Sequence, residues 1–271
     1  MMELTDTHCH IQSAGRAAGE RGTRQLWSKS PELTADRLVA EAAAAGVTRL
    51  ICVGCDLDDS RLAAEFAESQ DNCWASAGIH PHEAQRFAGQ TAKLAEFARL
   101  PGQPKVVAVG ECGLDYHYQH SPPAAQREIL RFQIELAVKY QLPLIFHVRD
   151  AFDDFWPVFD SYQGLSGVLH SFTDTAINAQ KALERGLYLG VNGITTFTKD
   201  SDQVAVYKSI PLDRLLLETD APFLTPTPYR GSINEPKRVG TIAEWVANVR
   251  GDSRDVLARA TTSNARQLFG I

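Results

Sequence analysis

The 271-residue sequence has no apolar run approaching the roughly 20 residues that a membrane span requires. Its first residues, MMELTDTHCH, carry neither a basic n-region nor an apolar h-region, so no signal peptide is expected. Cysteine is scarce, with five residues scattered at 9, 52, 55, 73 and 112. An odd, scattered set does not form a disulfide framework, and a reducing cytoplasmic setting is expected. Positive charge is also lacking: 27 lysines and arginines stand against 33 acids, a net of −6. That balance excludes gripping nucleic acid through overall charge, but not a nuclease whose positive charge comes from bound metal ions. No glycine-rich phosphate loop follows the first apolar run, which counts against an open dinucleotide-binding sheet.

Hydrophobic residues make up 44% and charged residues 22%, ordinary values for one folded chain with a full core. Short runs rich in Val, Ile and Leu recur near 3–8, 49–54, 74–80, 106–111, 143–148, 167–172, 188–193 and 214–220. Continuous apolar runs of this length suit strands buried on both faces of a parallel sheet. Helical patterns lie between them. Ser30-Pro31 opens one that Gly46 closes, Ser121-Pro122 opens a second, and Asp174 opens a third that Gly186 closes. The second carries Leu130, Ile134, Ala137 and Val138 at helical spacing. A final helix spans 252–269, with Val256, Leu257, Ala260 and Leu268 on one side. Eight such units predict an α/β fold of the (β/α)8 TIM-barrel class as a single domain over 1–271; an open doubly wound sheet is the alternative.

A barrel of this class places its active site at the C-terminal strand ends. Those ends read His8 and His10, Asp56, His80, Glu111, His147, His170, Asn192 and Asp220. His8 and His10 are two apart on a strand and share a face, while Cys9 points away. Together they can hold one ion, with the Asp220 carboxylate near it. Glu111 can bridge to a second ion held by His147 and His170. A lone His-x-His pair is a weak signal, and any single histidine can be a satisfied structural residue. Six residues of metal-ligand type at the ends of five strands make a two-metal hydrolytic centre the stronger reading. In that reading Asp220 also orients or deprotonates the attacking water. Four histidines favour zinc, manganese or iron by ligand type, and a carboxylate-bridged site can also run on magnesium.

The motifs THCH at 7–10, GIHPH at 78–82, VGECGLDY at 109–116, LPLIFHVRDA at 142–151, GVLHSF at 167–172 and LLLETDAPFLTP at 215–226 resemble the TatD family of metal-dependent deoxyribonucleases. YRGSINEP at 229–236 matches the loop that follows in that family. The resemblance covers nearly the whole chain in order. It implies an amidohydrolase-like TIM barrel and 3′–5′ exonuclease or related phosphodiesterase activity on DNA. It also implies metal ligands at His8, His10, Glu111, His147, His170 and Asp220. His80, in the GIHP motif, is implied to lie close to the substrate phosphate and to act with Glu111 and Asp220 in catalysis. A carboxylated lysine is not expected, since Lys105 precedes the strand that ends in Glu111. Rival readings are a hydrolase of small esters, amides or phosphodiesters on the same barrel, and a non-catalytic nucleic-acid-binding protein.

Three further residues are candidate substrate contacts. Arg149 and Arg230 lie in mouth loops and could clamp phosphate through paired hydrogen bonds, or form surface ion pairs instead. The stretch QSAGRAAGERGTRQLWSKSPE at 12–32 departs from the family pattern. Between 12 and 30 it sets Arg16, Arg21, Arg24 and Lys29 against Glu20 alone, a local charge of +3. Trp27 among these cations could stack a base of single-stranded DNA, or pack on the barrel. Cys52-x-x-Cys55 has metal or redox spacing, but Cys52 lies in a strand and a buried apolar role is expected. His82 either lines the mouth or is an exposed loop residue, and His117 and His120 are expected to be solvated. Gly110 and Gly113 are expected to serve close backbone packing around Glu111.

Overall fold

The computed structural model describes residues 3–16 and 22–271. Eight parallel strands alternate with helices, the (β/α)8 architecture expected from the spacing of apolar runs. In chain order the elements are β1 (Leu4–Cys9), α1 (Gly22–Trp27), α2 (Ala35–Ala44), β2 (Val47–Val53), α3 (Leu57–Glu68), β3 (Cys73–Ala77), α4 (Thr91–Phe97), β4 (Val106–Asp115), α5 (Pro123–Tyr140), β5 (Leu144–Arg149), α6 (Phe152–Phe159), β6 (Gly167–Leu169), α7 (Ala176–Glu184), β7 (Tyr188–Val191), α8 (Ser201–Ser209), β8 (Leu215–Leu217), α9 (Val239–Arg250) and α10 (Arg254–Phe269). No helix among the described residues is long and apolar enough to cross a membrane.

The chain resolves into two compact units. The first holds residues 1–52 and 171–267, and the second 53–170 with 268–271. In the first unit β1 pairs in parallel with β2, and β7 with β8. Beyond β8 the backbone ties directly to β1: the amide of His10 donates to Ala221 O (2.8 Å) and that of Asp220 to His8 O (2.8 Å). The β1 strand is buried at all six positions and the three leucines of β8 are buried as well. In the second unit β3, β4, β5 and β6 pair in parallel in that order. Ile129, Leu130, Ile134 and Ala137 of α5 are buried, and the helix packs on β4.

The helix starts differ in detail from the sequence pattern. Helix α2 begins not at Ser30-Pro31 but behind Thr34, whose hydroxyl accepts the amide of Arg37 (3.3 Å) and so satisfies a free helix donor. Thr175 rather than Asp174 caps α7, by the same bond to Asn178. Val138 and Val256, expected on core faces, are 51% and 41% exposed. Val138 lies one position after the buried Ala137 of α5, and Val256 one position before the buried stripe of Leu257, Ala258, Thr261 and Ala265 in α10. Residues 12–32 are not all loop, since α1 forms within them.

Candidate metal centre

In the first unit, β1 and the residue that follows it send Asp6, His8 and His10 to one face, and the turn after β8 brings Asp220 against His8 and His10. His8 Nε2 lies 3.2 Å from His10 Nε2. Asp220 Oδ1 lies 3.3 Å from His10 Nε2 and 3.8 Å from His8 Nε2. Ligand atoms about 2.0–2.1 Å from a tetrahedral ion stand about 3.3 Å apart, so this triangle fits one cation. Both imidazoles are buried, while Asp220 keeps 14% of its side chain in contact with solvent. Cys9 points away, its thiol on Ile51 O (3.4 Å).

Asp6 is a residue the motif reading missed. Its carboxyl group accepts the amide of Thr219 (2.8 Å), the hydroxyl of Thr219 and the amide of His8 (3.3 Å). Burial pushes its pKa up to about 8, against the pull of the Thr219 bonds. It thereby fastens β1 to the ETD segment beneath the His8–His10–Asp220 triangle. Its only sequence signal is the two-residue step to His8.

In the second unit, Glu111 is the centre of a larger cluster. Along β4 and β5, Gly110 pairs with Ile145 and Cys112 with Phe146, leaving Glu111 as an extra residue in a bulge. A bulge of this kind re-aims a side chain. Gly110 and Gly113 allow it, as a Cβ on either would lie 2.3 Å from Ile145 O or 1.8 Å from His147 O. Glu111 Oε1 lies 2.8 Å from His170 Nε2, 2.9 Å from His147 Nδ1 and 3.5 Å from His80 Nε2. The two nitrogens of His147 and His170 are 3.4 Å apart. Adjacent ligands on an ion about 2.1 Å away stand about 3.0–3.4 Å apart, so this group also fits one cation. Burial opposes ionisation of Glu111, but the imidazoles of His170, His80 and His147 outweigh it and hold the carboxyl well below its usual range.

The other nitrogen of His147 identifies a second missed residue. His147 Nε2 lies 3.0 Å from Asp115 Oδ2, and His82 Nε2 lies 2.9 Å from the same oxygen. The amides of His117 and Tyr118 donate to Asp115 Oδ1. Burial works against the charged carboxylate, yet these donors hold its pKa below the usual range. Burial likewise works against the His147 imidazolium, but Asp115 and Glu111 raise its pKa overall. A carboxylate behind a ligating imidazole fixes its tautomer and strengthens it as a ligand.

His80 is half-buried and its pKa falls to about 4, mainly by loss of solvent, so it is neutral near pH 7. Its Nδ1 accepts the amide of His82 (3.1 Å), which leaves the proton on Nε2, facing the cluster. Among the cysteines, Cys52 is buried as expected. Cys55 is half-buried, its thiol 4.0 Å from Glu111 Oε2, and thus lies beside the centre and not in an apolar core.

The expected substrate contacts fare unevenly. Trp27 cannot stack a base: it is 1% exposed and its indole N–H donates to His10 O (2.8 Å). The alternative, packing against the core, is what occurs, and it supports the backbone of His10, a candidate ligand. Arg16, Arg24 and Lys29 are exposed, and Arg21 lies outside the described residues. Arg149 is exposed with its guanidinium 4.8 Å from the centre of the Tyr118 ring. Arg230 stands over Phe197 (3.9 Å) and donates to Thr225 O (2.8 Å). His82, expected either way, is part of the Asp115 network. His117 is exposed and paired with Asp150 (3.0 Å).

Comparison with known proteins identifies relatives over most of the chain. The model of the TatD related DNase family matches residues 5–270. The chain is 36% identical over 270 residues to a Bacillus subtilis (strain 168) protein named uncharacterized metal-dependent hydrolase YabD, covering 99% of each. It is 39% identical over 243 residues to a Citrobacter rodentium (strain ICC168) protein named 3′-5′ ssDNA/RNA exonuclease TatD, covering 87% of this chain and 92% of the other. Among solved structures, YJJV, a TatD homolog from Escherichia coli K12, superposes with a TM-score of 0.85 at 27% identity, over 99% of this chain and 98% of the other. With a family match from β1 to the last helix, the chain belongs to the TatD related DNase family.

Proposed function

We propose that this chain is a divalent-metal-dependent phosphodiesterase, acting as one catalytic domain, that removes nucleotides from the 3′ end of single-stranded DNA. The observation that carries the reading is the spacing of donor atoms in each cluster, three ligand atoms about 3–4 Å apart in both. His8, His10 and Asp220 would hold one ion; Glu111, His147 and His170 would hold another. The nitrogen-rich donor set suits zinc or manganese, and the carboxylates also accept magnesium. An odd, scattered set of five cysteines suits a reducing cytoplasm.

Bound divalent ions would offset phosphoryl charge and lower the pKa of a water toward 7. The protein's own groups then do the following. Asp220, the more exposed member of its cluster, orients the attacking water and accepts its proton. Glu111, held ionised by the imidazoles around it, would supply its carboxylate to the ion of its own cluster. His80, neutral with its proton on Nε2, donates a hydrogen bond to a phosphate oxygen. Arg149 and Arg230 supply positive charge around the substrate.

The test is cleavage of 3′- and 5′-labelled single-stranded DNA and RNA across a panel of metals, beside bis(4-nitrophenyl) phosphate and 4-nitrophenyl acetate. The proposal expects stepwise loss from the 3′ end and turnover of the phosphodiester. Turnover of the acetate alone would replace it with a carboxylic-ester hydrolase.

A further inference from the structure

The loop after β4 carries an aromatic and cationic surface that neither metal cluster uses. Tyr118 is 52% exposed. The Arg149 guanidinium lies 4.8 Å from its ring centre, in the range of a cation–π contact. The His120 ring runs almost parallel to it, 11° apart with centroids separated by 5.9 Å. His82 meets both rings edge-on, at 5.6 Å and 4.6 Å. Since His82 also bonds Asp115, which holds His147, an unbroken line of contacts leads from Tyr118 to a metal ligand. The backbone explains the placement. Asp115 and Arg149 are paired across β4 and β5, and Arg149 lies two residues beyond His147 on the same face.

Arg149 differs from the other arginines on aromatic rings in the mouth loops. Arg230, over Phe197, is bound to Thr225 O, and Arg238, over Tyr229, is bound to Glu235 and Ile233 O. Among the described residues no oxygen is paired with the Arg149 guanidinium, and the neighbouring Asp150 carboxylate is taken by His117. A planar guanidinium left open beside an exposed ring offers donors for a phosphate and a stacked plane for a base.

We propose that Tyr118, with Arg149 and His120, forms the platform on which a base next to the scissile phosphate stacks, Arg149 binding the adjoining phosphate. The proposal rests on the phosphodiesterase reading and names the residues that take the strand. Every base has a π-face, so the platform binds single strands without reading sequence. A base inside a duplex is already stacked on its neighbours and cannot lie on Tyr118 without unpairing. The cations of residues 12–30, whose tryptophan is buried, are then not the stacking site.

The test uses the metal-reconstituted enzyme and a mixed-sequence, phosphorothioate-linked single-stranded DNA, with binding read by fluorescence anisotropy and turnover read on unmodified oligonucleotide and on bis(4-nitrophenyl) phosphate. Tyr118→Ala should weaken oligonucleotide binding about 5- to 150-fold, the effect of losing one stacked base. It should lower the ratio of oligonucleotide to small-diester turnover. Tyr118→Phe should bind within about twofold of wild type, because the ring and not the hydroxyl is used. Arg149→Ala should make the dependence of log affinity on log salt shallower by about 0.7, one phosphate contact on a single strand. Wild-type affinity in Tyr118→Ala, an equal defect in Tyr118→Phe, or equal losses on both substrates would overturn the platform alone. A wild-type enzyme that neither binds nor cleaves single strands would overturn the parent reading, and the platform with it.

Discussion

Asp115 makes no contact that its sequence position advertises, yet it decides how His147 presents Nδ1 to an ion. Asp115→Asn should lower metal affinity about 10- to 100-fold, with activity returning at high metal concentration; titration against a competing chelator measures it. Asp220→Asn should behave differently. Its rate should fall about 10²- to 10⁴-fold while metal content falls much less, because its main part is handling the water. Near wild-type turnover at full metal content would remove that role. Trp27→Ala should cost about 3–5 kcal/mol of stability in urea unfolding and reduce turnover of small and polymeric substrates alike, as loss of a buried support for His10 would. The candidate ligands were legible because histidines and acids recur where candidate strands end. Asp6 and Asp115 were not, since a carboxylate that braces a ligand looks like any other acid until its partners are known. Trp27 misled because its cationic neighbours suggested a surface, and burial of one residue outside a periodic element leaves no pattern.

At the level of elements, β4 is the part that most constrains the centre. Its bulge aims Glu111, and Gly113, at φ +152°, lies against the backbone of His147. Gly113→Ala should cost about 1–3 kcal/mol from overpacking, with added backbone strain, and should displace β5 at His147. Reduced metal content in the folded fraction checks it. A second prediction concerns α2, which is tied to the segment before α9 by Glu41, bonded to Lys237 (2.6 Å) and Arg37 (2.7 Å). The Lys237 bond and then the Arg37 bond lower the Glu41 pKa to about 2, from an ordinary value of 4.5. A depressed carboxylate stabilises the fold above its unfolded pKa and loses that contribution as pH falls through the folded value. The benefit should therefore be full above about pH 4.5 and gone near pH 2. The pair is solvated, so its size should be below about 1 kcal/mol. Unfolding of Glu41→Gln beside wild type at pH 7 and pH 3 should show a small deficit that shrinks with acidification. All eight strands were legible, because parallel strands buried on both faces read as unbroken apolar runs. Helix starts were less so: proline and aspartate resemble start signals at Pro31 and Asp174, whereas Thr34 and Thr175 make the capping bonds.

For the whole molecule, a net charge of −6 means that overall charge gives no attraction to a polyanion, so recognition has to come from bound cations and a few placed residues. The fold class and family were legible from end to end, because the motifs stand at the same point of successive strand–helix units. The proposed stacking platform was not, as the exposed face of Tyr118 depends on how its loop meets the end of β5. Two-metal hydrolysis by this chain requires that each ligand cluster hold an ion. Elemental analysis of protein stripped with chelator, reconstituted with zinc or manganese and freed of excess metal measures this directly. The predicted result is close to two ions per chain in wild type. It should fall to close to one when His8 and His10 are replaced by alanine, and to close to one when His147 and His170 are. A wild-type maximum near zero, or a stoichiometry that ignores both pairs of substitutions, would contradict it.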